Sequence, residues 1–116
     1  MADFLSRLLG RAAAAEPGWV EVAVLRQLLA GGTPPLVLDV RGADEFDGPL
    51  GHIDGALNVP LPELAAHQSE IATAGKPVVC VCLTDKRSAA AAAQLAEAGI
   101  AGVTVLRGGM KAWRER

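Results

Sequence analysis

A cysteine and an arginine enclose a short segment in the second half of the chain, within the sequence Cys82-Leu83-Thr84-Asp85-Lys86-Arg87-Ser88. An apolar, β-branched run precedes this segment and an alanine-rich run follows it, which predicts a strand, a tight loop and a helix. A loop in this position turns its backbone N–H groups inward at the positive end of a helix and forms a binding site for an anion. We therefore expect the sulfur of Cys82 to lie at the edge of such a site.

The charged residues of the loop act on the protonation state of this sulfur. A helix N-terminus and neighbouring cations stabilise a thiolate relative to a thiol. Lys86 and Arg87 act in this direction, and Asp85 opposes them. Because the thiolate is the nucleophilic form of cysteine, the loop predicts a reactive cysteine. The same loop would hold a negatively charged group bonded to the sulfur, such as a persulfide.

The spacing within the loop distinguishes two kinds of chemistry. Four residues separate Cys82 from Arg87, which gives the pattern C-x4-R. The phosphate-binding loop of the tyrosine-phosphatase kind is one residue longer, and its wider ring of amides suits a tetrahedral phosphoryl group. The shorter loop fits a single sulfur atom better. Sulfur chemistry is therefore favoured, and a small phosphatase or arsenate reductase is the less favoured alternative.

Strands and helices alternate along the rest of the chain. This alternation predicts an α/β fold of three layers, with a mostly parallel five-stranded sheet flanked by helices. Binding sites in such sheets lie at the carboxyl ends of the strands, where we expect Cys82, Asp39 and Arg41. The predicted strands cover residues 19–22, 36–40, 56–59, 78–82 and 103–106, and the predicted helices cover 24–30, 43–46, 62–72 and about 87–98, with a final helical turn from 108.

Three further residues are candidates to support the loop, with a direct catalytic role for Asp39 and Arg41 as the alternative. Asp39 and Arg41 leave the end of a central strand, and side chains in this position commonly hold loops by hydrogen bonds. Arg41 is also placed to pair locally with Glu45. Ser88 follows the loop directly and is the third candidate.

The other cysteine and the histidines have less specific roles. Cys80 lies on the same face of the predicted strand as Cys82; we expect a buried structural residue, with disulfide formation to Cys82 as the alternative. His52 lies in a Gly-His-Ile-Asp-Gly turn, where we expect it to order the loop by hydrogen bonding rather than to act as a general base. Neither His52 nor His67 has a spacing to the cysteines that predicts a metal site.

The amino-acid composition limits the classes of function that this protein could have. The 116 residues suffice for one domain, and a hydrophobic share of 51% with a net charge of −2 is typical of a soluble globular protein. Two Trp, two Phe, no Tyr and the absence of a basic stripe argue against nucleic-acid binding. No apolar run approaches the roughly 20 residues that span a bilayer. Two cysteines one residue apart do not form the disulfide framework of a small secreted domain, which favours the cytoplasm.

The chain is predicted to consist of an N-terminal helical arm, residues 1–18, and one domain, residues 19–116. Phe4, Leu5, Leu8 and Leu9 share one helical face in the arm. We expect this face to pack on the chain's own domain, with binding of a partner or dimer formation as the alternative. A signal peptide is disfavoured because Asp3 comes first and charged residues interrupt the apolar ones.

With these motifs in place, residues 19–116 resemble a single-domain rhodanese, a member of the sulfurtransferase family. The resemblance implies the rhodanese-like α/β fold and a ping-pong reaction without a metal or organic cofactor. It implies that Cys82 takes sulfur as a persulfide from a small sulfur-containing anion or a persulfide donor and passes it to a thiol or protein acceptor. It also implies that Leu83 to Arg87 hold the persulfide. The motifs that carry the resemblance are Leu38 to Arg41, Glu45-Phe46, Gly51 to Pro60, the Cys82 to Arg87 loop, and Leu106 to Met110 with Trp113.

One position departs from the family pattern. The family loop often has glycine three residues after the cysteine, where this chain has Asp85. Aspartate is among the few other residues that tolerate a positive φ angle, so the loop is expected to close. Its negative charge is expected to weaken attraction for thiosulfate, which leaves a protein persulfide as another donor. A rhodanese-like binding module without catalysis is the main alternative function.

Overall fold

The computed structural model describes residues 17–115. The predicted helical arm, residues 1–18, lies outside the described residues except for its last two positions. Within the described part, no helix has the length and apolar character required to cross a membrane. The strands are β1 (Gly18–Val20), β2 (Leu36–Asp39), β3 (Leu57–Asn58), β4 (Val78–Val81) and β5 (Val103–Leu106); the helices are α1 (Val22–Ala30), α2 (Ala43–Phe46), α3 (Gln68–Ala74), α4 (Lys86–Glu97), α5 (Gly109–Glu115) and a 3₁₀ helix (Leu61–His67).

The five strands form one sheet in the order β1-β5-β4-β2-β3, and every strand pair is parallel. This arrangement confirms the predicted α/β fold with a five-stranded sheet. β4 is the middle strand, and all four of its residues are buried. The residue that follows β4 therefore leaves the sheet at the centre of its carboxyl edge, where loops from both neighbouring strands can reach it.

Apolar side chains cover both faces of the sheet, as expected for a parallel sheet between two helical layers. Cys80 and Cys82 belong to the cluster on one face, which confirms that their side chains share a side of β4. The helices α3 and α4 pack on this face, through Ile71, Ala91, Ala92 and Leu95. The helices α1 and α5 pack on the other face, through Val22, Leu25, Met110 and Trp113.

Several predicted elements differ in detail from the structure, and the second, third and fourth strands are each one or two residues shorter than predicted. The predicted helix at 62–72 is a 3₁₀ helix followed by α3, and the interruption falls at His67, whose ψ of 4° leaves the helical region. Leu64 and Ile71 are both buried, so the apolar pattern that predicted one helix is preserved across the interruption. The first helix begins at Val22 rather than at residue 24, with Val22 and Leu25 facing the core. The first strand therefore ends at Val20, and the prediction that it continues to Val22 is wrong.

Candidate active site

Cys82 follows β4 directly, and its sulfur contacts the first turn of α4. The backbone N–H of Ser88 donates to Cys82 Sγ at 3.3 Å, and the Cys82 thiol donates to Ser88 Oγ at 3.3 Å. Ser88 is fully buried, and Cys82 is only 1% exposed. The Cys82 side chain is therefore almost completely covered by its surroundings. The first turn of α4 provides it with one N–H group and one hydroxyl.

The back of the loop is attached to α5. The carbonyl oxygens of Cys82 and Leu83 accept hydrogen bonds from the N–H groups of Met110 at 2.8 Å and Lys111 at 3.0 Å. All described peptide bonds are trans, and in a trans peptide the N–H points opposite to the C=O. The N–H groups of Leu83 and Thr84 therefore point away from α5.

Gly109 allows α5 to approach the loop this closely. Its φ is +57°, and a Cβ atom at this position would overlap the carbonyl oxygens of Cys82 and Thr84 and lie 2.7 Å from the carbonyl carbon of Leu83. A residue with a side chain would displace the loop backbone. No role in the site was predicted for Gly109 from the sequence, although two consecutive glycines at the start of the last helix are a signal for such a close contact.

Asp85 immediately precedes α4 and has a negative φ angle. Its φ is −149°, and its carbonyl oxygen accepts from the N–H of Ala89 at 2.9 Å. No non-glycine residue among those described has a positive φ. The expectation that this position requires tolerance of a positive φ is therefore wrong, because the loop reaches the helix without a left-handed residue there. The side chains of Leu83, Thr84 and Lys86 are exposed around the loop.

Arg87 pairs with a carboxylate that the sequence analysis did not connect to the loop. Its two terminal nitrogens donate to the two carboxylate oxygens of Glu45 at 2.7 and 2.9 Å. This hydrogen bonding is the main reason that the pKa of Glu45 is lowered and that the pKa of Arg87 is raised. The motif Glu45-Phe46 was recognised from the sequence, but its contact with a residue 42 positions later depends on the fold.

Asp39 and Arg41 form a buried ion pair behind the site. Arg41 Nε lies 3.0 Å from Asp39 Oδ1, and one of its terminal nitrogens lies 2.8 Å from Asp39 Oδ2. Arg41 is 2% exposed and also donates to the carbonyl oxygens of Glu45 at 3.1 Å and Gly51 at 2.8 Å. The structure thus places both residues as supports of the loop between β2 and β3. The expected pairing of Arg41 with Glu45 exists, but through the backbone of Glu45.

His52 is engaged within the same loop. Its ring stacks on Phe46 with the ring centroids 3.6 Å apart, and its Nδ1 lies 2.9 Å from the carbonyl oxygen of Phe46. This is the loop-ordering role predicted for it. A surface groove of about 670 Å³ lies beside His52, near the amino ends of β2 and β4. Neither Cys82 nor any residue of its loop lines this groove.

Cys80 is buried in the sheet, as predicted. Burial raises its pKa to about 12, with a further contribution from the charge of Cys82. At neutral pH Cys80 is therefore a thiol, which is the less nucleophilic form of cysteine. Within residues 17–115, no three or more His, Cys, Asp or Glu side chains are grouped to hold a metal ion.

Comparison with known proteins agrees with this geometry. The sequence model of the rhodanese-like domain matches residues 21–116. This chain belongs to the rhodanese-like domain family. The matched segment contains the whole Cys82 loop, Glu45 and α5, so every part of the candidate site lies within the family domain. The resemblance recognised from the sequence motifs is confirmed.

Individual relatives are similar over most of this rhodanese-like chain. It is 43% identical over 77 residues to the uncharacterized protein YqhL of Bacillus subtilis, and the aligned segment covers 66% of this chain and 59% of YqhL. It is 39% identical over 79 residues to the thiosulfate sulfurtransferase GlpE of Shewanella oneidensis, and the aligned segment covers 68% of this chain and 75% of GlpE. The solved structure of the human single-domain sulfurtransferase TSTD1 is 32% identical with a TM-score of 0.69, covering 86% of this chain and 96% of TSTD1. The chain spans less than two thirds of the length of some relatives. The aligned segment covers 59% of YqhL and 43% of the protein slr1261 of Synechocystis.

Proposed function

We propose that this rhodanese-like domain is a sulfurtransferase that carries sulfur as a persulfide on Cys82. The donor is thiosulfate or another persulfide, and the acceptor is a thiophilic group such as cyanide, a thiol or a protein cysteine. The observation that carries the proposal is the hydrogen-bonded position of the Cys82 sulfur at the start of α4. The names of GlpE and TSTD1 support the same class of reaction.

The reaction proceeds in two displacements on sulfur. The Cys82 thiolate attacks the outer sulfur of thiosulfate, a new S–S bond forms, and the S–S bond of the donor breaks. Sulfite leaves with the bonding electron pair, and Cys82 becomes a persulfide. The acceptor then attacks the outer sulfur of the persulfide, and the Cys82 thiolate leaves with the electron pair. Cyanide as acceptor yields thiocyanate.

The loop stabilises the charged species of this cycle. The outer sulfur of a persulfide is an anion at neutral pH, and inward N–H groups at a helix N-terminus stabilise negative charge. Electron pairs move only between the donor, Cys82 and the acceptor, so the cycle balances without an external oxidant. It requires Cys82 as a free thiol, which it is in the structure. A reducing compartment such as the cytoplasm maintains that state.

The proposal is tested by intact-mass spectrometry after brief exposure to thiosulfate, followed by cyanide. We expect the protein to gain the mass of one sulfur atom, and to lose it as thiocyanate is formed. If no gain follows with thiosulfate or with persulfide donors, the domain is a binding module instead. Release of phosphate from an aryl phosphate would favour the phosphatase alternative.

Replacing Ser88 by alanine removes the hydroxyl beside the sulfur and leaves the backbone N–H in place. When the thiol loses its proton, the hydroxyl can rotate to donate to the sulfur. A hydrogen bond to a charged group contributes about 1.5–3 kcal/mol, so we expect the rate of persulfide formation at neutral pH to fall about tenfold in the variant. The rate is measured by rapid quenching and intact-mass spectrometry. Ser69→Ala, which removes an exposed hydroxyl elsewhere, is the matched control. A Ser88→Ala rate equal to that of the control would show that the hydroxyl does not stabilise the thiolate.

Replacing Asp85 by glycine is expected to raise the rate of thiosulfate turnover. The removed charge opposes the approach of an anion, and we expect an increase in kcat/KM of about threefold. Because the backbone at Asp85 is not left-handed, glycine offers no relief of strain, and Asp85→Asn should produce a similar increase. Steady-state rates that are unchanged or lower in both variants would contradict this electrostatic explanation.

A further inference from the structure

The pairing of Glu45 with Arg87 has a consequence for the choice of sulfur donor. We propose that Glu45 is a specificity-determining residue, whose carboxylate neutralises Arg87 and thereby disfavours small dianionic donors relative to persulfides of lower charge. Thiosulfate is the dianion concerned, and a persulfide on a cysteine is the favoured class of donor. This inference rests on the proposed sulfurtransferase function.

The contact between the two side chains occupies one edge of the guanidinium group. Both terminal nitrogens of Arg87 donate to the carboxylate of Glu45, at 2.7 and 2.9 Å. Arginine suits such two-point contacts because its donors lie in one plane. The pKa of Glu45 is lowered by this contact, so the carboxylate is ionised at neutral pH. The pair then carries no net charge.

The position of Glu45 is determined by its own surroundings. Its backbone carbonyl accepts from the buried Arg41 at 3.1 Å, and its carboxylate also accepts from the N–H of Gly42 at 3.4 Å. Arg41 in turn is held by Asp39. Isolated surface ion pairs are weak because both side chains lose conformational freedom when they pair. Here the carboxylate comes from a backbone that is anchored to the buried part of the site, which reduces that loss for Glu45.

Arg87 directly precedes Ser88, whose N–H and hydroxyl lie 3.3 Å from the Cys82 sulfur, so its charge can influence the donor. The charge of Cys82 also contributes, after Glu45, to the raised pKa of Arg87. Asp85 adds a second negative charge at the loop, and the exposed Lys86 adds a positive one. Leu83, which follows the cysteine, is 40% exposed and adds no charge. With Arg87 neutralised, the charged side chains of the loop no longer present a net positive charge to an anion.

The charge of the donor determines how much electrostatic attraction it loses when Arg87 is neutralised. Coulomb attraction scales with the product of the charges. A dianion such as thiosulfate therefore loses about twice as much attraction as a donor with one negative charge when a cation is neutralised. Cysteine persulfide carries one net negative charge at neutral pH. Glu45 thus shifts the preference of the site from thiosulfate toward such persulfides.

The test compares Glu45→Gln with the wild-type protein and with Asp44→Asn. Glutamine keeps the shape of glutamate and an oxygen that accepts from Arg87, but it removes the charge. Asp44 is an exposed carboxylate one residue earlier in α2, so its replacement changes the net charge equally. The rate of Cys82 persulfide formation is measured by rapid quenching and intact-mass spectrometry, against the concentration of thiosulfate or cysteine persulfide. Each series gives a half-saturating concentration and a limiting rate.

For thiosulfate, we expect Glu45→Gln to lower the half-saturating concentration about tenfold and to change the limiting rate less than about twofold. For cysteine persulfide, the half-saturating concentration should fall only about threefold. Both differences should shrink at about 0.5 M salt, because salt screens partly exposed charges. Asp44→Asn should resemble the wild-type protein with both donors.

Three results would overturn the inference while leaving the proposed function intact. The first is an unchanged half-saturating concentration for thiosulfate in Glu45→Gln. The second is a lower limiting rate alone, which would mean that Glu45 only supports the loop. The third is an equal effect of Asp44→Asn, which would assign the change to net charge. Failure of the wild-type protein to take sulfur from either donor would instead overturn the proposed function, and the inference with it.

Discussion

Replacing Cys82 by serine is expected to abolish persulfide formation and to reduce sulfur transfer by at least about 10³-fold. Serine has nearly the same shape, but its hydroxyl is not ionised at neutral pH and forms no persulfide. The contacts with Ser88 can be retained, so the fold should be preserved. The measurement is the gain of one sulfur in the intact mass after thiosulfate, together with thiocyanate formation after cyanide.

Cys80→Ala provides the matched control for this variant. Cys80 is two residues away on the same face of β4, but burial raises its pKa to about 12 and keeps it a thiol. We therefore expect Cys80→Ala to form the persulfide at close to the wild-type rate. Retention of the sulfur gain in Cys82→Ser, with its loss in Cys80→Ala, would reverse the assignment of the nucleophile.

Replacing Gly109 by alanine is expected to produce the largest loss of stability among the predicted variants. The added Cβ would meet the backbone of the Cys82 loop on one side, at a residue whose φ is +57°. Overlap with backbone atoms and a left-handed conformation together cost about 2–4 kcal/mol. For a domain of this size, we expect the Tm to fall by roughly 10 °C. Protein that remains folded should form the persulfide more slowly, because the loop has been displaced.

Gly99→Ala separates the two causes of this loss. Gly99 has a φ of +87°, but nothing lies within 4 Å of an added Cβ. It follows α4 at the far end from Cys82, so its replacement introduces the conformational cost alone, about 1 kcal/mol. The two variants are compared by thermal unfolding and by the rate of persulfide formation. Equal losses of stability, with wild-type persulfide formation in both, would mean that the contact of Gly109 with the loop is unimportant.

These predictions concern a site assembled from three parts of the chain. The loop after β4 contributes the sulfur, α5 orients the loop backbone through Met110 and Lys111, and α2 contributes Glu45 to Arg87. Asp39 and Arg41 connect α2 to the end of β2. A change in any of these parts is therefore expected to alter the Cys82 loop.

The local elements of the site were predictable because they depend on neighbouring residues. A β-branched run before Cys82 and alanines after Arg87 predict a buried strand and a close-packed helix, and the structure has β4 and α4 in these places. The hydrogen bond between Ser88 and the sulfur follows from the same short segment. The roles of His52 and Cys80 were also predictable, since both depend on the turn or strand in which they lie.

The contacts between distant segments were not predictable in this way. The expectation of a positive φ at Asp85 came from the residue type usual in the family, and the backbone took an ordinary extended φ instead. The sequence analysis paired Arg41 with Glu45 locally, whereas the carboxylate of Glu45 binds Arg87. Proximity in the sequence favoured the pairing of Arg41 with Glu45. The parallel strands β2 and β4 instead bring Glu45 and Arg87 together at one edge of the sheet.

The sequence by itself therefore determined the charges of the Cys82 loop and the strand and helix that flank it, and it predicted Cys82 as the nucleophile. These properties depend on residue type and on interactions within a few positions of Cys82. The tertiary structure decided the direction of the loop amides, the close approach of Gly109 and the neutralisation of Arg87. Each of these is a contact between segments that are far apart in the chain, and it exists only because the parallel strands bring their carboxyl ends to the same edge of the sheet.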